Sequence, residues 1–258
     1  MMRLRGLLTA FAVGVAACAG WADGRPDLNL QPPSAIPADL DPCRHFVPGE
    51  PMVRFSILRR LDGGTVPMRV PARYLVRAPL GDGAVVPTAL FSGIEIPTFE
   101  PLPRRETRRR VRERLTWDWF SFIVTDLRPT AETAGLNMRR NDLEFGDPRR
   151  VEELETPVDP LSLPLIPADH GLTQVLPGPD RGRGEDIFVH TDAEGELEGW
   201  LKCSYVGLGF TRNAGCQHYF RVSGVDVRAS YLRTELPNWR ILHDHVTRFL
   251  ACATNGAA

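Results

Sequence analysis

The C-terminal third of the chain carries the plainest pattern of apolar and polar positions. Four runs, "EDIFVHT", "LEGWLKCSYV", "CQHYFRV" and "VDVRASYL", alternate or mix β-branched and aromatic residues, and they read as strands. They are joined at "DAEGE", "GLGFTRNAG" and the two-residue "SG", the last a tight-hairpin connection. The period then changes. In "LPNWRILHDHVTRFLACA", Trp239, Leu242, Val246, Phe249 and Leu250 fall on one side of a helix, with Pro237 near its first turn. Residues 185–252 are therefore expected to form a four-stranded meander plus a C-terminal amphipathic helix.

Residues 46–128 are β-rich: "MVRFSILRRL", "MRVPARYLV", "VVPTALF" and "LTWDWFSFIVTDL" are short apolar or alternating runs, and "LDGGT" supplies a turn between the first two. Residues 129–184 lack long apolar runs and hold many prolines, which predicts a loop-rich connection with at most one short helix. The fold class is α+β: antiparallel sheets with the C-terminal helix packed on the sheet, in one unit or two small ones.

One stretch stands apart. Seven arginines fill the eleven positions from Arg104 to Arg114. From Arg110 onward the pattern reads as a strand, with Arg110, Arg112 and Arg114 on the wet face and Val111, Leu115, Trp117 and Trp119 on the other. The net charge of -1 and pI near 6.6 give no global basic field for a polyanion. Of 31 basic residues only Lys202 is lysine, so arginine is a chain-wide habit. Arg108, Arg110, Arg112 and Arg114 are candidate contacts for an acidic protein partner or anionic lipid, and nucleic acid is not expected.

Compartment follows from the N-terminus. Arg3 and Arg5 precede the apolar run "GLLTAFAVGVAACAGWADG", an export signal over residues 1–22. Within it "VAAC" has the shape of a lipobox, an aliphatic residue and two small ones before cysteine. That resemblance implies cleavage before Cys18 and acylation of its sulfur; cleavage after Ala19 or Ala22 is the alternative. Residues 23–45 are Pro-rich and read as a tether, with folded material starting near Cys43. The expected location is the periplasm, membrane-anchored through a lipid on Cys18.

With Cys18 acylated or removed, Cys43, Cys203, Cys216 and Cys252 remain, an even number suited to two disulfides in an oxidising compartment. Cys203 and Cys216 stand at a strand end and a strand start and are expected to pair. Cys43 with Cys252 would tie the tether to the last helix. The spacings fit no zinc ribbon.

The six histidines are scattered singly, and His243 and His245 lie about 200° apart around the predicted helix, so they do not share a metal. Nucleophile-elbow, zincin, phosphate-loop and dinucleotide motifs are absent. Ser204, His218 and Asp226 could be drawn into a triad, but no elbow supports it. No catalytic residue, metal or cofactor is assigned.

The segments "MRVPARYLV", "IPTFEPL", "GLTQVL", "EDIFVH", "LKC" with "CQHYF", and "VRASYLRTELPNWRILHDHVTRFL" together resemble a group of bacterial periplasmic proteins. These are often lipoproteins, encoded beside toxins delivered by type VI secretion and regarded as their immunity partners. The resemblance is diffuse over residues 52–250 and most specific in the cysteine-flanked strands followed by "LPNW". It implies an inhibitor that binds a secreted toxin stoichiometrically, without catalysis. A small periplasmic hydrolase or envelope-maintenance lipoprotein is the alternative.

The lipobox reading is checked by the intact mass of the mature protein extracted from membranes. The expected species begins at Cys18 and carries acyl chains; a lipid-free chain beginning at Gly20 or Asp23 would refute it.

Overall fold

Positive φ at Ser223 and Gly224, 51° and 78°, turns the chain within two residues, so that Val222 and Val225 pair directly. This is the expected "SG" hairpin, the centre of the larger of two sheets in a computed structural model. The structure describes residues 31–60, 62–77, 81–113, 117–126, 129–142, 156–176, 185–204 and 214–256. Strands β1 (Met52–Leu58), β2 (Thr65–Pro71) and β3 (Ala84–Val86) form a small sheet in the order β2-β1-β3. The other eight are β4 (Thr88–Glu95), β5 (Trp119–Thr125), β6 (Leu165–Pro167), β7 (Thr173–Val175), β8 (Glu185–Thr191), β9 (Leu197–Ser204), β10 (Gly215–Val222) and β11 (Val225–Leu232). They run antiparallel throughout in the order β4-β5-β11-β10-β9-β8-β7-β6. Helices are α1 (Arg104–Glu113), α2 (Thr130–Asp142) and α3 (Trp239–Asn255).

The chain is α+β, with antiparallel sheets and the C-terminal helix packed on the larger one. Alternation decides its layers. Phe120, Phe122 and Val124 of β5, Val227 and Ala229 of β11, and Phe220 of β10 are buried on one face. Against them lie Leu242, Val246, Phe249 and Leu250 of α3, together with Phe55, Ile57, Met68 and Val70 of the small sheet. Phe249 is the hub, its ring centroid 5.1 Å from Phe46, 4.9 Å from Tyr74, 5.4 Å from Phe99 and 5.9 Å from Phe91. Because β4 and β5 continue the meander through β11, the N-terminal and C-terminal regions share one sheet.

Three expectations are corrected. Residues 104–113 are helical, not extended. Arginine is a good helix former, and Glu106 pairs with Arg109 and Arg110 one turn on, as Arg109 does with Glu113. The strand begins only at Trp119, and Arg114 lies outside the described residues. Residues 129–184 hold more than loops: α2 is three turns long, and β6 and β7 extend the sheet. The acidic residues Glu152, Glu153 and Glu155 lie outside the described residues. The tether is shorter than expected, for residues 31–45 are docked. Leu40 is buried and Ile36 packs on the core. The backbone N–H and hydroxyl of Ser34 donate to the fully buried carboxylate of Glu235, and Asn238 donates to the Ser34 carbonyl. Apolar contacts, these hydrogen bonds and a disulfide at Cys43 together seat a segment whose prolines suggested a spacer.

Both disulfides are formed. Cys203 and Cys216 are direct cross-strand partners of β9 and β10 with Cα atoms 4.1 Å apart. Cys43 joins Cys252 in the last turns of α3, with Cα atoms 5.9 Å apart. In the chain-entropy model the short loop closed by the first contributes about 3 kcal/mol and the long loop closed by the second about 5 kcal/mol. Replacing Cys43 and Cys252 by serine should therefore lower the urea-unfolding free energy more than replacing Cys203 and Cys216. Equilibrium denaturation of the two double variants measures the order.

Candidate functional site

Among the described residues, the outer face of the large sheet is covered over only part of its width. On the β7–β10 side, Ala134 and Met138 of α2 close a second, smaller core over Val175, Ile187, Val189 and Trp200. Trp200 and Tyr219 stack there at 4.1 Å with planes 3° apart. Beyond Tyr219 most outward positions of β10, β11, β5 and β4 are partly or fully exposed, Trp119 and Leu232 excepted, while their inward neighbours are buried. Two hollows open on this face. One, about 380 Å³, is lined by Trp117, Trp119, Lys202, Ser204, Gln217 and Ser230. The other, about 290 Å³ and more apolar, is lined by Ile123, Thr125, Trp200, Tyr219 and Arg228, with Thr133 of α2 at its rim.

Helix α1 borders the same face at the other end. Its seat is a bulge in β4 between Phe91 and Ile94, where Gly93 takes a φ of 68°. A Cβ on Gly93 would lie 2.8 Å from the Thr107 methyl, so glycine lets the helix come this close. Arg110 then turns inward and donates to Glu95, Glu106 and Asp118 at 2.7–3.0 Å. Hydrogen bonds from Arg109 and Arg110 hold Glu106 down at about 2. Arg108 and Arg112 flank a third hollow beside stacked Trp117 and Trp119, whose ring centroids are 5.1 Å apart. Of the four arginines named from sequence, Arg110 is thus a structural anchor, Arg108 and Arg112 are exposed, and Arg114 is outside the described residues. Cys18 is also outside them.

The histidines are not dispersed as expected. His190 of β8, His218 of β10 and His243 of α3 gather with ring centroids 5.1, 5.7 and 5.7 Å apart. His190 and His218 stand two strands apart and meet across Gly199, the register partner of both His190 and Phe220. A Cβ there would press on the His190 ring and come within 2.7 Å of the Tyr219 carbonyl. His190 Nδ1 is 3.3 Å from Glu198, and its Nε2 is 2.9 Å from Nε2 of His218. With Nδ1–H donating to the carboxylate, His190 Nε2 accepts from His218 Nε2–H. The fully buried His218 Nδ1 is then a bare lone pair, which agrees with its having no hydrogen-bond partner.

Burial is the leading cause that holds both rings neutral, aided by neighbouring histidines; His190 is pushed down to about 3, and His218 well below the usual range. Sheet parity separates the sequence trio: His218 points to the helix side, whereas Ser204 and Asp226 line the hollows of the opposite face. Among the described residues no group of three His, Cys, Asp or Glu side chains is arranged to hold a metal. The cluster is a polar seam beneath Trp239, whose ring lies 4.6 Å from His190.

Sequence reading missed both features. Lys202, Gln217 and Ser230, polar at outward positions of three strands, hinted at an uncovered face. The histidine cluster had only Gly199 as a signal.

Both rings stay neutral in the fold but take up a proton below about 6.5 when unfolded, so stability is full above that pH and falls below it. Each histidine should cost about 1.4 kcal/mol by pH 5.5. Urea denaturation at pH 7.5 and 5.5 should therefore differ by about 3 kcal/mol from this pair. His190→Gln should reduce the difference.

No family model matches the chain, and no curated protein matches it. Two solved structures resemble it. An immunity protein of the Stenotrophomonas maltophilia type IV secretion system aligns with a TM-score of 0.47 at 20% identity, over 75% of this chain and 96% of that one. The iron-regulated outer membrane lipoprotein FrpD of Neisseria meningitidis aligns with a TM-score of 0.42 at 10% identity, over 87% and 98%. At these scores and identities neither likeness carries an argument about what this chain binds.

Proposed function

We propose that this protein is a periplasmic inhibitor that binds a secreted interbacterial toxin stoichiometrically through the open part of its outer sheet face. The observation that carries the reading is that face itself. It is framed by α1 and α2, furnished with Trp117, Trp119, Lys202, Gln217, Ser230 and Arg228, and built on strands rather than loops. A stiff frame lowers the ordering cost of association. The Cys203–Cys216 bond staples two of its strands. Stacked tryptophans beside hydroxyl and amide groups supply an apolar anchor with a polar surround, the composition of an interface centre. The two disulfides suit an oxidising compartment, which supports the periplasm. The sequence resemblance to immunity proteins of type VI toxins supports the class of partner, and the lipobox supports a lipid anchor at Cys18. Domain limits are proposed as a signal over residues 1–22, a short linker up to residue 30 and one folded unit beyond.

The test is co-expression with a candidate effector, sought first among the genes that neighbour this one, in cells where that effector is directed to the periplasm. Wild type should protect and should co-purify in equal proportion. Gln217→Arg with Ser230→Arg, placed at the centre of the face, should weaken the complex at least tenfold by calorimetry; Arg69→Glu on the small sheet should not. Absence of both protection and complex would refute inhibition.

A further inference from the structure

Among the described residues, helix α1 is the one long element with no buried residue. At 100° per residue, Thr107 and Arg110 turn toward β4 and β5, and the opposite side carries Arg105, Arg108 and Arg112 within an arc of about 60°. Arg109, beside them, is paired with Glu106 and Glu113. Arg105, Arg108 and Arg112 are exposed and have no carboxylate partner among the described residues. Val111, 45% exposed, adjoins this arc, and Trp117 stands beside it.

A second observation concerns where the chain enters the fold. The amide of Gln31 grips the backbone of Trp117 at both ends, accepting from its N–H at 3.0 Å and donating to its carbonyl at 3.4 Å. The first described residue is therefore fastened four positions beyond the end of α1. Twelve residues lie between Cys18 and Gln31, a span of at most about 47 Å. An anchor at Cys18 keeps α1 within that distance of the bilayer.

We propose that the outward face of α1 rests on an anionic bilayer surface, with Arg105, Arg108 and Arg112 meeting phospholipid phosphates and Val111 at headgroup level. Three exposed guanidinium groups beside an exposed aliphatic residue suit such an interface. Exposed guanidinium groups on a helix within reach of a membrane anchor match the phosphates of an anionic surface, so lipid is the occupant we argue. The sheet face used in the proposed function lies beside this surface and stays free for a second occupant.

The experiment uses residues 19–258, which retain every described residue but carry no lipid, and vesicles of phosphatidylcholine with or without 30 mol% phosphatidylglycerol. Flotation should show binding at least tenfold tighter to the anionic vesicles, weakened by 0.5 M NaCl. Each arginine near the surface should contribute about fivefold. The combined Arg105→Glu, Arg108→Glu and Arg112→Glu variant should thus bind about 100-fold less, with an unchanged urea midpoint, while the matching lysine variant keeps most of the binding. Equal binding to both vesicle types, or an unaffected glutamate variant, overturns the proposal. So does a glutamate variant that loses its complex with the candidate effector but not with vesicles, which would assign the face to an acidic protein instead. If no effector complex forms at all, the vesicle result still stands or falls by itself.

Discussion

The burial of Phe249 organises this molecule. Its ring touches aromatic groups from the docked N-terminal segment, the short turn after β2, and β4 and β5, so one side chain joins parts of the chain up to 203 residues apart. Removing such a side chain costs about 3–5 kcal/mol in other cores. Everything else follows from α3 being held there. The Cys43–Cys252 bond closes over its C-terminal end, and the Glu235 and Asn238 contacts to Ser34 hold the segment before its first turn. The N-terminal segment is thereby strapped along the helix at both ends.

With one face of the sheet committed to α3 and the small sheet, function is left to the other. Helix α2 is too short to cover eight strands, and its apolar contacts end at Trp200 and Tyr219. The uncovered strands are the ones whose outward residues are serine, glutamine, lysine and tryptophan. This face and the arginine arc of α1 are neighbouring surfaces with different chemistry: one has aromatic anchors and mixed polarity, the other unpaired cations. The ion pairs of Arg109 and Arg110 divide the run, holding the helix in place while leaving its remaining guanidinium groups outward.

The histidine seam shows how a missing side chain organises its neighbours. Strands β8 and β10 are separated by β9, and an ordinary side chain at position 199 would keep their inward residues apart. Glycine there lets two imidazoles share one hydrogen bond in a dry interior, so the sheet holds a neutral pair whose burial makes the stability of the fold depend on pH. Stability should accordingly weaken in acid before any carboxylate is protonated.

Alternation in β8 to β11, the apolar stripe of α3 and the dipeptide at residues 223–224 were sufficient, as local patterns, to define the meander and its closing helix. Cysteine count and strand position likewise pointed to the Cys203–Cys216 pair, while Cys43 with Cys252 was expected only as a tie between tether and last helix. These features depend on periods of two or 3.6 residues and on parity, which a linear text preserves. The strand reading from Arg110 failed because an arginine run has no apolar stripe to set its period; local Glu106 and Glu113 pairs support the helix, and Arg110 is then tied to Glu95 and Asp118. The docking of residues 31–45, the meeting of His190 with His218 and the bare sheet face required the register of strands and the reach of α2. Those are sums over contacts between distant residues, and only the tertiary structure decided them.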